Sequence, residues 1–201
     1  LSHVTFRENA GVGLFVTSSA DLLRFEATRF ERNERVMWLL PEKLGALSAD
    51  AQITNNDEQA GRVGLSNSDA VLTAQTWPRL EAPYLFTHQA LIKAPLTISA
   101  GARLTFLQDA ALRVQDEGSL SAVGTADAPI ELSGLEELSG SWRGLQFKTT
   151  NDNNRLEHVT LSYAGHLWTG SPQSLAALHL TRYATLHINH LNVFAPPGSA
   201  L

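Results

Sequence analysis

Between Leu96 and Phe147 the chain places apolar residues at alternate positions in short bursts: Leu96 and Ile98, Leu104 and Phe106, Leu112 and Val114, Leu120 and Ala122, Ile130 and Leu132, Leu145 and Phe147. Gly, Pro, Asp and Ser fill the gaps between bursts. An apolar period of two bounded by turn formers specifies half-buried strands, because successive strand side chains point to opposite faces. This stretch confines the fold to the all-β class.

The first third reads the same way. Val4 and Phe6, Leu14 and Val16, Leu23 and Phe25, then Phe30 form apolar groups separated by Gly11, Gly13, Ser18, Ser19 and Asp21. Val36 to Leu40 adds an apolar segment that Pro41 closes. Residues 41–83 are more polar and read as an irregular connection. Within them a short helix fits Glu42 to Ala51, the Asn55-Asn56-Asp57 cluster marks a loop, and Val63 to Thr73 has weak strand character. The segment TWPRLEAPY (76–84) reads as a crossing that docks Trp77 and Tyr84 on the core.

The last third repeats the first. Leu156-Glu-His-Val-Thr-Leu161 matches Leu1-Ser-His-Val-Thr-Phe6 at four of six positions, at an offset of 155 (156 − 1). Leu178-His-Leu-Thr181 matches Leu14-Phe-Val-Thr17 at an offset of 164 (178 − 14), and Leu186 to Val193 match Leu23 to Phe30 at 163 (186 − 23). The nine extra residues, 164 − 155, form one insertion near His166 to Ser174, which holds Leu167, Trp168 and Pro172. A shorter echo relates Leu96-x-Ile98 to Leu112-x-Val114, at an offset of 16 (112 − 96). Repeats this short cannot bury an apolar face alone and must stack. Asn-Gly and Asp-Gly hairpin turns are absent, so a parallel winding is favoured over a sandwich.

The segments TWPRLEAPYLF, LTISAGARLTF, GSLSAVGTADAPIEL, SWRGLQF and NDNNRLEHVTLSYAG, in that order, resemble the right-handed parallel β-helix modules of bacterial surface and secreted proteins, many of them lipoproteins. The resemblance covers about residues 76–165, and the internal repeat carries it to both ends. It implies one solenoid over 1–201: coils of a first copy in 1–40, the connection at 41–83, and a second set of coils in 84–201, with 156–194 repeating 1–30. It also implies an extracellular or cell-envelope location. Such modules share no characteristic catalytic residue. Gly101, Gly118, Gly124 and Gly144 suit tight corners, and Trp142 suits a cover over the interior or a corner.

Composition narrows the partners. Net charge is −5 with no basic stripe, which argues against nucleic acid. No apolar run reaches the ~18 residues of a membrane span. The absence of Cys removes disulfides, thiolate metal sites and cysteine nucleophiles. The chain opens at Leu1 already in strand character, which reads as a piece of a longer protein. Solenoid ends without caps would then favour end-to-end self-association.

Histidine is the first candidate chemistry, since four of the seven lie at His166, His179, His187 and His190. His179 and His187 each sit between apolar neighbours and should point outward, on successive sides of one coil. Carboxylates such as Asp109, Asp116, Asp127, Glu136 and Asp152 fall in turns, where they cap backbone N–H groups and keep edges soluble. Asn151 to Asn154 lacks the spacing of a calcium loop and reads as an Asx-rich turn. Trp168 sits in the insertion with His166, near Tyr163, and an insertion in one repeat maps to a loop on one face, often the binding face. The expected ligand-binding residues are therefore Tyr163, His166, Trp168, His179 and His187, with no metal and no cofactor. The function expected is a non-catalytic scaffold or binding module for a glycan or protein. The alternative is a polysaccharide lyase or glycoside hydrolase with a site on an outer sheet near His158, His179 and His187.

Overall fold

The computed structural model describes residues 2–17, 25–64, 69–166, 175–181 and 183–194. The strands open with β1 (Thr5–Arg7), β2 (Val12–Phe15), β3 (Arg29–Glu31) and β4 (Arg35–Leu39), followed by a 3-10 turn at Pro41–Ala46. Next come β5 (Gln52–Thr54), β6 (Gly61–Val63), β7 (Asp69–Val71), β8 (Gln75–Trp77) and β9 (Tyr84–Phe86). The middle holds β10 (Gln89–Ile92), β11 (Pro95–Ile98), β12 (Arg103–Phe106), β13 (Ala111–Gln115) and β14 (Ser119–Val123). The series closes with β15 (Ile130–Gly134), β16 (Gly144–Lys148), β17 (Arg155–Ser162), β18 (Leu178–Leu180) and β19 (His187–Phe194).

The protein is all-β, and every strand pairing among the described residues is parallel. One sheet runs β1-β3-β5 and a second β7-β10-β13-β16-β18. The largest has two runs, β2-β4-β6-β9-β12-β15 and β8-β11-β14, which meet on β17. Arg155 pairs with Ser121 of β14 and Val159 with Ile130 of β15, while His158 between them turns the strand with φ +47°. From β7 onward the chain visits the five-stranded sheet, the β8 run and the β9 run in strict rotation. It meets its previous pass 20 residues on at Tyr84↔Leu104 and 34 on at Ser121↔Arg155. No helix among the described residues is long and apolar enough to cross a membrane.

Alternation along each strand fills the space between the sheets. Leu104, Phe106, Leu112, Val114, Leu120, Ile130 and Leu132 are all buried, and the residues between them mostly face outward. Burying each large side chain contributes about 1.5–3 kcal/mol. Aromatic rings stack from pass to pass: Phe86 on Phe106 at 5.0 Å, then Phe106 on Trp142 at 4.0 Å. Trp142 thus lies in the interior, its Nε1 donating to Ser162 O at 2.8 Å. Trp77 and Tyr84 are buried as the sequence indicates.

Three readings change. Residues 41–83 are not an irregular connection, because β5 to β8 lie within them and pair in parallel with neighbouring passes. The echo at 16 residues does not join vertical neighbours: Leu96 pairs with Leu120 and Leu112 with Leu145, so β11 and β13 lie on different sheets. The echo reflects strands of one kind repeated round the interior. The corners are also less dependent on glycine than expected. Among the described residues ten non-glycine residues adopt positive φ, including His3, Glu8, Ala27, Arg32, Asn55, His158 and His190.

The long internal repeat extends to pairing. Thr5↔Arg29, Phe6↔Phe30 and Arg7↔Glu31 correspond by sequence to Thr160↔Asn192, Leu161↔Val193 and Ser162↔Phe194. The bridge Ser2↔Glu26 corresponds to Glu157↔Asn189. His3 and Ala27 turn through positive φ as His158 and His190 do. The two copies occupy different sheets, so the repeated unit is a strand pair with its corner rather than a whole pass.

Candidate functional site

The corner that follows the β9 run carries an open hollow of about 640 Å³. Thr87 and His88 follow β9, Leu107 to Asp109 follow β12, Leu135 to Ser141 follow β15, and His166 lies after β17. The 135–141 loop is held from below, since Ser141 N donates to Tyr163 O at 2.9 Å and Gly140 N to Ala164 O at 3.3 Å. Gly140 takes φ +75°, a conformation glycine adopts at little cost. Phe106 forms part of the apolar wall, and Leu135 and Leu138 are each 54% exposed at the rim.

Polar groups face the same hollow. Thr87 Oγ1 lies 2.9 Å from Gly64 O, and because a carbonyl only accepts, the hydroxyl proton goes there. His88 Nδ1, 3.0 Å from Thr87 Oγ1, then donates to that hydroxyl oxygen, which leaves Nε2 of the neutral ring as an acceptor. Ser141 Oγ is buried with no hydrogen-bond partner among the described residues. Asp109 pairs with Arg143 at 2.9 Å on the exposed side, a contact worth little by itself. The arrangement offers an apolar rim and a histidine acceptor, while the Ser141 hydroxyl is buried beneath it against Gly134.

No family model, curated protein or solved structure matches the chain. Function must therefore be read from this geometry.

The structure places two of the five expected residues at this corner. His166 lines the hollow with its N–H on Trp142 O at 2.9 Å, and Tyr163 lies beneath, its ring edge-on to Phe194 at 5.8 Å. Trp168 falls outside the described residues. His179 lies on the five-stranded sheet, its Nδ1 2.9 Å from Gln146 Nε2, and His187 lies on β19 in register with Arg155. His158, half-buried at the corner between the two runs, stacks on His190 with ring centroids 4.3 Å apart. His158, His179 and His187 are therefore not brought together. Among the described residues no group of three His, Asp or Glu is placed to hold a metal ion.

In the sequence Asp109 and Glu136 fall in turns, and nothing there singles out His88. The available signal was positional: 87–88, 107–109, 135–141 and 166 each follow a strand of one run, and residues at one corner of stacked passes share a surface. A second, shallower cleft of about 450 Å³ lies at the β8-to-β9 corner, where Arg79, Arg103, Glu81, Asp127 and Glu131 meet.

Proposed function

We propose that the chain is a right-handed, three-faced parallel β-helix serving as a rigid, non-catalytic binding module of a bacterial extracellular or envelope protein. The right hand follows from the strong preference of parallel crossovers. Location outside the cell rests on the resemblance of residues 76–165. The observation that carries the binding reading is the hollow between Leu135, Leu138, His88 and His166, whose mixture of exposed apolar side chains and convergent polar groups suits a protein segment or a glycan. The partner would set an apolar group between the two leucines and donate a hydrogen bond to His88.

The test is a screen of the purified chain on a glycan array and against peptide libraries, repeated with Leu138→Asp and His88→Phe. Loss of binding at unchanged circular dichroism supports the reading. Binding that survives both substitutions overturns it.

The cleft of Arg79, Arg103, Glu81, Asp127 and Glu131 favours one alternative, a carbohydrate-active enzyme with its site on an outer sheet, because paired carboxylates beside guanidinium groups are what sugar cleavage uses. Release of unsaturated or reducing ends from acidic polysaccharides, lost in Glu131→Gln, would establish it.

A further inference from the structure

The hollow after the β9 run is one-sided in charge. Asp109 and Glu136 line it, and Glu137 lies between Glu136 and the rim residue Leu138. No lysine or arginine is among its described lining residues. Arg143 offsets Asp109, whereas Glu136 and Glu137 are exposed and make no ion pair among the described residues. His88 Nε2 adds an acceptor to the same surface. A hollow of one sign with apolar walls focuses its field and draws in the opposite charge.

The apolar part of the hollow is aliphatic. Leu135 and Leu138, three positions apart on one loop, are the exposed apolar side chains at its rim. Phe106 is the one phenyl, phenol or indole among the described lining residues, and it is buried. Both its faces are occupied, one by Phe86 and the other by Trp142. A sugar ring packs its C–H face on an open aromatic plane, and the described residues offer none here. Two leucines around a slot instead suit the large apolar side chain that anchors a protein interface.

We propose that the partner of this hollow is a protein segment, not a glycan, and that it carries a large apolar residue flanked by Arg or Lys. The apolar side chain enters between Leu135 and Leu138. The neighbouring cation lies against Glu136 and Glu137, and an N–H of the segment donates to His88 Nε2. Arg fits better than Lys, because its planar fork pairs with a carboxylate through two N–H groups. Charge attraction steers the encounter, so binding weakens as salt rises. The proposal rests on the reading of the hollow as a binding site and adds the class of partner.

The probe is a phage-displayed library of random peptides selected on the immobilised chain, with a glycan array run in parallel. Enriched peptides should join Arg or Lys to a large apolar residue, and Leu138→Asp should abolish their binding at unchanged circular dichroism. Glu136→Gln with Glu137→Gln should weaken a synthetic copy of an enriched peptide about fivefold or more, and so should raising salt from about 50 to about 500 mM. The same charge change at the exposed Asp57 and Glu117, Asp57→Asn with Glu117→Gln, should alter affinity by less than about twofold. Enriched peptides without Arg or Lys, equal losses from the two charge pairs, or a glycan whose binding Leu138→Asp abolishes would each overturn the partner class and leave the binding site standing. If neither screen yields a ligand sensitive to Leu138→Asp, the binding reading falls and the partner class with it.

Discussion

Asn33 Nδ2 donates to Asn56 Oδ1 at 2.9 Å with both residues buried, and Asn33 Oδ1 accepts from Asn9 Nδ2 at 2.6 Å. Each amide of the lower pair also returns a proton to the backbone, Asn33 to Phe6 O and Asn56 to Phe30 O, both at 3.0 Å. The three asparagines follow the positive-φ residues Glu8, Arg32 and Asn55, so one corner is rebuilt on three successive passes.

Replacing the central member strands its neighbours. Asn33→Ala removes the side-chain donor to Phe6 O and one of the two donors to Asn56 Oδ1, which keeps the Asn33 backbone N–H at 2.9 Å, and should cost about 1–3 kcal/mol. Asn9→Ala, at the exposed end, should cost less than half of that. Urea unfolding of the two variants measures the difference.

Two glycines should behave oppositely. A Cβ on Gly118 would stand 2.1 Å from Ile92 O, a backbone atom that cannot step aside, whereas a Cβ on Gly11 meets nothing within 4 Å. Gly118→Ala should destabilise by about 3 kcal/mol, the upper range for overpacking, and Gly11→Ala by less than about 0.5 kcal/mol. Thermal melts of both variants test this contrast.

Alkaline stability should turn on one phenol. Tyr84 is buried and donates from its hydroxyl to Pro78 O at 2.7 Å, and burial pushes its pKa well above the ordinary value of 10.0. The unfolded chain ionises Tyr84 near pH 10 while the folded chain does not. This contribution is therefore whole below pH 10 and is lost as pH rises above it. In Tyr84→Phe the fall in stability above pH 10 should be shallower, at a cost of about 0.5–1.5 kcal/mol at neutral pH from the lost hydrogen bond. Denaturant midpoints from pH 7 to 11 would show both effects.

The rim leucines should be dispensable for folding. Leu135 and Leu138 are more than half exposed, so Leu135→Ala and Leu138→Ala should each alter stability by no more than about 0.5 kcal/mol. Differential scanning calorimetry tests this, and a drop of several degrees in Tm would show that the loop is part of the core.

The strands were legible because alternation such as Leu104-x-Phe106 has only one structural meaning, whereas the pairing of 156–162 with 188–194 came from the structure alone. The corners were not. Phe6-x-x-Asn9, Phe30-x-x-Asn33 and Ile53-x-x-Asn56 recur at spacings of 24 (30 − 6) and 23 (53 − 30), yet the Asn55-Asn56-Asp57 cluster by itself marks only a loop. Asn in a turn commonly bonds its own backbone, and only stacking converts it into a column. Pass length misled as well, since corners as different as the single residue His158 and the six-residue turn 124–129 perform the same reversal. The hollow was hidden for a related reason: its residues come from four passes, and nothing in the local sequence of His88 or Glu136 ties them together.

Because, among the described residues, each strand pairs only with the passes directly before and after it, no pairing there links one end of the stack to the other. Cooperativity must therefore travel link by link, as in a zipper, and its reach depends on the weakest join. Amide protection should fall off toward β1 and β19 and peak around β12 to β14. A lesion such as Gly118→Ala would then divide the molecule into two segments that melt on their own schedules.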